Sequence, residues 1–125
     1  MNELRDAIET AVKLKLFPSI ERASKSLVFN SKNIVMLPIS RCKQMDNFNP
    51  ARLSDNPYPK EDRPRGARDL TSVRYHRQLV RTVGRTTPIW IAHKNGRYIL
   101  LDGAHRIVAT YLEGKRTIPA FVVTV

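Results

Sequence analysis

The sequence predicts an α+β fold on three observations. Apolar residues recur at helical spacing near the N-terminus, a tight turn joins two β-rich runs, and an apolar strand stops at Asp-Gly and passes straight into a helix. In the first segment, Leu4, Ala7, Ile8, Ala11, Val12 and Leu14 mark one face of an amphipathic helix running to about Phe17. Pro18 interrupts it, and Pro18 to Val28 predicts a second short helix with proline in its first turn. Asn33 to Ser40 reads as an opening strand. From Arg41 to Thr71 the chain is polar and proline-rich, with Asn49-Pro50, Asn56-Pro57 and Arg63-Pro64 as turn signals, which predicts a long loop. Ser72 to Val83 then predicts a helix stopped at Gly84. Thr87 to His93 and Arg97 to Leu101 flank Lys94-Asn95-Gly96, a strong hairpin signal. Ile107 to Leu112 continues as a helix ending at Gly114, and Thr117 to Val125 is a last β-rich run.

A chain of 125 residues with 42% hydrophobic content can bury one core and is too short for two ordinary domains. The expected organisation is an N-terminal helical extension over 1–30 and a domain over 31–125 carrying the 41–71 loop as a basic insertion. The N-terminal helices are expected to cover one face of the sheet, in preference to a role in a homodimer. No apolar run approaches the ~20 residues a membrane helix needs, and the N-terminus lacks a secretory pattern. A cytoplasmic location is therefore expected, and the single cysteine, Cys42, fits a reducing compartment. His76, His93 and His105 lack metal-ligand spacing with Cys42, and there is no phosphate-binding Walker loop.

Charge narrows the partner. Twenty-two Lys and Arg against 11 Asp and Glu leave a formal net charge of +11, a field that attracts polyanions. Arg63, Arg65, Arg68, Arg74, Arg77 and Arg81 crowd the middle of the chain, and arginine favours forked phosphate contacts. These six are the candidate nucleic-acid contacts; a solvated basic face without a ligand is the bland alternative. Phe48 and Tyr58 could stack on bases or anchor the loop.

The sharpest motif is Asp102-Gly103-Ala104-His105-Arg106. The first turn of a helix offers backbone N–H groups and the positive end of the macrodipole to an anion. Gly103 permits close backbone approach, Arg106 adds a guanidinium fork, and His105 can move a proton near neutral pH. Asp102 could hold a metal or cap the helix.

The order of strand, tight turn, strand, Asp-Gly-x-His-Arg helix, glycine and strand with Ile118-Pro119 resembles the ParB/sulfiredoxin superfamily of nucleotide-binding domains. Asn33 to Ser40 is similar to its opening strand, and Ser72 to Gly84 to the helix before its hairpin. The resemblance implies a small mixed sheet packed with helices, with the N-terminal helices as an addition. The sulfiredoxin branch carries cysteine where this chain has Ala104, so sulfinic acid repair is not expected. The ParB branch carries Gly-Glu-Arg-Arg and binds CTP; no helix-turn-helix follows the last predicted strand here, so site-specific partition binding is not expected. The motif matches best the Asp-Gly-x-His-Arg branch, which includes free-serine kinases and short phage or plasmid ParB-like nucleases.

By that resemblance Tyr75, Gln78, Thr82, Gly103, Ala104, His105 and Arg106 would bind a nucleotide, ATP or CTP. Asp102, His105 and Arg106 would act in catalysis, with Asp102 on a magnesium ion. The implied activity is hydrolysis of a nucleoside triphosphate or a phosphodiester. A non-catalytic phage- or plasmid-type binding or inhibitor protein, or a small-molecule kinase, remains the alternative.

Overall fold

A computed structural model describes residues 3–53 and 66–125, with the side chains of residues 66–68 outside the description. In chain order its elements are α1 (Glu3–Lys13), α2 (Ile20–Asn30), β1 (Val35–Pro38), α3 (Ile39–Cys42), a 3-10 turn (Pro50–Arg52), α4 (Gly66–Val83), β2 (Ile89–Lys94), β3 (Arg97–Asp102), α5 (Ala104–Leu112) and β4 (Thr117–Thr124). The sheet runs β1-β4-β2-β3, with β2 and β4 parallel and the outer pairs antiparallel. Parallel neighbours need a crossover, and the segment from β3 through α5 supplies it. The hairpin turns on Asn95 and Gly96, both at positive φ (51° and 76°), as a two-residue loop with this sequence requires.

Both faces of the sheet are covered, so β2 reads Ile-Trp-Ile-Ala with all four residues buried rather than alternating. One face carries Ile89, Ile91, Leu100, Ile118 and Ala120 against Ile107 of α5 and Ile39 and Cys42 of α3. The other carries Trp90, Ala92, Leu101 and Val123 beneath Ala7 and Ala11 of α1 and Leu27 of α2. The N-terminal helices thus do cover one sheet face, and alanine at the α1 contact lets that helix lie close. A smaller cluster of Val73, Val108 and Ala109 seals α4 to α5. A bulge shifts the β2–β3 register so that Trp90 faces Asp102 while Ile91 faces Leu100. The strand therefore bends at its C-terminal end, just before the turn into α5.

Several boundaries differ from the sequence-based expectation, the first being that α1 ends at Lys13 rather than near Phe17. Pro18 lies outside α2; Ser19, extended at φ −156°, caps the helix by accepting from the Arg22 N–H at 3.2 Å. The first strand ends at Pro38, and Ile39 to Cys42 form a short helix where strand to Ser40 and then loop were expected. The 41–71 loop is narrower than expected, because α4 already begins at Gly66. Its first part is tied down: Asp46 bridges to Ile99 of β3, the Asn47 amide donates to the Leu100 carbonyl at 2.9 Å, and Phe48 is 8% exposed in the core. Phe48 is thus an anchor, whereas Tyr58 lies outside the described residues.

Candidate functional site

Gly103 makes the turn from β3 into α5 at φ 125°, and a Cβ there would overlap Ile89 Cγ2 outright. Only glycine combines that backbone conformation with that contact. Asp102 lies before it, with its carboxyl half-buried, and α5 begins without a side-chain cap.

Arg106, in the first turn of α5, is 3% exposed. Its guanidinium donates to Asp102 Oδ2 at 2.5 Å, to the Pro88 carbonyl at 2.6 Å and to Glu3 Oε2 at 3.1 Å. The second oxygen of Glu3 accepts from the Thr87 hydroxyl at 3.0 Å. The first turn of α1 therefore lays a carboxylate across Arg106 and Thr87. Burial pushes the Asp102 carboxyl above the ordinary carboxylate range, opposed by Arg106 and reinforced by Asp6 and Glu3.

His105 turns the other way, toward α4. Its Nδ1 lies 2.9 Å from Ser72 Oγ and its Nε2 3.0 Å from Asp69 Oδ1. A carboxylate only accepts, so in the neutral ring the proton belongs on Nε2, which leaves Nδ1 to accept from the serine hydroxyl. His76, one turn beyond Ser72 on α4, feels Arg106, Glu3 and His105. Burial, and next Arg106, lower its pKa to about 4, so it is neutral at pH 7. Its Nδ1 is buried and, among the described residues, finds no hydrogen-bond partner.

Of the residues singled out from sequence, Asp102, Gly103, Ala104, His105 and Arg106 share one turn, but His105 and Arg106 face different partners. Ala104 packs against the α5-side core. Tyr75, Gln78 and Thr82 are not brought to this turn. They occupy the exposed side of α4, Tyr75 61% exposed, because Asp69, Ser72, Val73, His76 and Val80 form the side facing α5 and the core. At ~100° per residue the two sets lie on roughly opposite faces. Among the arginines, Arg74 is exposed, while Arg77 and Arg81 both bind Glu113 at 2.6 Å. These two cations hold the Glu113 carboxyl below its ordinary range, Arg81 most strongly. Arg63 and Arg65, and the side chain of Arg68, lie outside the described residues.

Asp69, Ser72, His76, Thr87 and Glu3 complete the site and were not singled out from sequence. The spacing Asp69-x-x-Ser72-x-x-x-His76 is a one-face helical pattern, and it was hidden because the helix was expected to begin at Ser72. Among the described residues no group of three or more His, Cys, Asp or Glu could hold a metal ion. Asp102 is a single carboxylate already bound by a guanidinium, so a magnesium ion there would need most of its ligands from nucleotide phosphates. Cys42 is buried, and burial pushes its thiol up to about 12, far from a reactive thiolate.

Neither a protein-family model nor a curated protein matches the sequence. Among solved structures, the chain is similar to the crystal structure of sulfiredoxin from Arabidopsis thaliana. The identity is 22% and the TM-score 0.52, over 74% of this chain and 86% of that one. The chain has the sulfiredoxin fold. None of its helices among the described residues is long and apolar enough to cross a membrane.

Proposed function

We propose that the protein binds phosphate at the β3–α5 turn and through it acts on nucleic acid or a nucleotide. The observation that supports this reading is the buried Arg106 guanidinium at the start of α5, whose Glu3 contact comes from a separate helix. A carboxylate fixed in that place is a stand-in for the anion the turn is suited to hold. Unlike Asp102 and the Pro88 carbonyl, Glu3 can leave without unfolding the sheet, since it sits in the first turn of α1. Phosphate would then meet Arg106, the Thr87 hydroxyl and the N-terminal end of the α5 dipole. The +11 charge would draw a polyanion to the surface and add affinity independent of sequence.

Phosphodiester or phosphoanhydride cleavage is the activity this reading extends to, with His105 as the proton-handling group. The test is binding of labelled oligonucleotide and of ATP and CTP to the wild type and to Glu3→Ala. Removing the competing carboxylate should tighten phosphate binding by about 10- to 100-fold, the scale of the ~1.5–3 kcal/mol of a hydrogen bond to a charged group. DNA affinity should fall with salt at a log–log slope of about −0.9 per neutralised phosphate. Unchanged affinity in Glu3→Ala, together with salt-independent or absent DNA binding, refutes the reading.

A further inference from the structure

Asp69, His105 and Ser72 form an unbroken carboxylate–imidazole–hydroxyl chain, with links of 3.0 and 2.9 Å across the α4–α5 seam. We propose that this chain makes Ser72 a nucleophile toward phosphate esters. The choice of phosphodiester as natural substrate rests on the proposed function; the nucleophile does not.

Each part has the position its role needs. Asp69 is buried, comes from the first turn of α4 and accepts from His105 Nε2–H, which fixes the tautomer. The opposite nitrogen is thereby an acceptor pointed at the Ser72 hydroxyl. Compared with the usual serine hydrolase arrangement the two ring nitrogens exchange partners, but the direction of proton flow is unchanged. Ser72 is only partly buried, so the residue keeps some contact with solvent. Its link to the second residue of α5 holds the hydroxyl beside the positive end of that helix dipole, where negative charge on a phosphoryl group is stabilised. A helix seam that needed only packing would be served by Val73, Val108 and Ala109, which already close it.

In the reaction, Ser72 Oγ attacks phosphorus as its proton passes to His105 Nδ1, and Asp69 stabilises the resulting imidazolium. The new O–P bond forms as the ester P–O bond breaks. His105 returns the proton to the departing alkoxide, leaving a phosphoseryl adduct and an alcohol. Water, deprotonated by the same imidazole, then hydrolyses the adduct and regenerates the hydroxyl.

The experiment uses diisopropyl fluorophosphate, in which a P–F bond breaks and fluoride leaves. Intact mass and peptide mapping should show one adduct, on Ser72, formed at least about 100-fold faster than on Ser40 of the same chain, the scale of general-base catalysis. His105→Gln and Asp69→Asn should each slow labelling at least about tenfold while the far-ultraviolet circular dichroism is retained. Should either variant fail to fold, the Ser72-to-Ser40 ratio in the wild type decides. No adduct, adducts spread over several serines, or Ser72 labelling undiminished in a folded His105→Gln overturns the proposal. Labelling of Ser72 without any affinity for DNA keeps the nucleophile and removes the nucleic-acid reading. DNA affinity without labelling does the reverse.

Discussion

Replacing Gly103 by alanine should be among the most damaging single-methyl additions to this chain. Two costs combine. A non-glycine residue held at φ 125° is strained by about 1–3 kcal/mol. The new Cβ would also overlap Ile89 Cγ2 and stand 2.8 Å from Ile89 Cβ and 3.3 Å from Arg106 Nε, and overpacking of this kind costs about 1–3 kcal/mol. Ile89 is fully buried in the sheet, so its backbone cannot simply step aside. The sum, roughly 2–6 kcal/mol, is a large fraction of a small domain's stability and corresponds to a melting temperature lower by ~8–24 °C. Gly84→Ala is the control. Its φ is 98° but nothing lies within 4 Å of an added methyl group, so it should report the backbone cost without the clash. Urea unfolding of Gly103→Ala, Gly84→Ala, Ile89→Ala and the double variant Gly103→Ala/Ile89→Ala measures both parts. The double variant should be more stable than additivity predicts by at least about 1 kcal/mol, because the clashing Cγ2 methyl has gone. Gly103→Ala within 1 kcal/mol of Gly84→Ala, or strict additivity with Ile89→Ala, would refute the close-packed turn.

The other predictions follow from the charges around that turn. Arg106→Met should cost about 3–5 kcal/mol by leaving Asp102 half-buried without its partner, read as a lowered denaturation midpoint; a change below 1 kcal/mol contradicts the buried network. His76 has a folded pKa near 4 against an unfolded value of 6.5, so the unfolded chain binds the proton more tightly between them. Stability should therefore fall as pH drops from about 6.5 toward 4, and His76→Leu should flatten that part of the profile and be neutral or stabilising at pH 7. Glu113 shifts oppositely: its carboxyl is held low by Arg81 and Arg77, so its stabilisation is present above the ordinary value of 4.5 and is lost as pH falls through the folded pKa. Glu113→Gln should weaken that acid dependence, and an unchanged slope of midpoint against pH below 4.5 would count against the pairing.

Much of the fold was legible because it rests on local signals. Asn95-Gly96 specifies its own turn, Gly103 its own backbone, and the alanines of α1 their own face. The start of α4 was not legible, since Pro64 and a polar run upstream look like a loop, and Asp69 finds its reason to be helical only in His105, 36 residues later. The same distance hid the site. His105 and Arg106 are neighbours in sequence, yet successive helix positions differ by ~100° in direction, so one faces α4 and the other faces β2 and α1. Nothing local marks Glu3 as the partner of Arg106, a contact 103 residues apart.

The double covering of the sheet decides how a polymer could ever meet this molecule. Proteins that read single strands on a β surface offer bare rings there for bases to lie upon. Here the Trp90 and Phe121 rings sit 4.6 Å apart, engaged with one another under α1 and α2. Peeling those helices away would uncover an oily floor, so a chain of nucleotides, were one bound, would have to meet helix ends and rims. The lone indole, stationed at that covered floor, would brighten or dim only if the lid itself lifted.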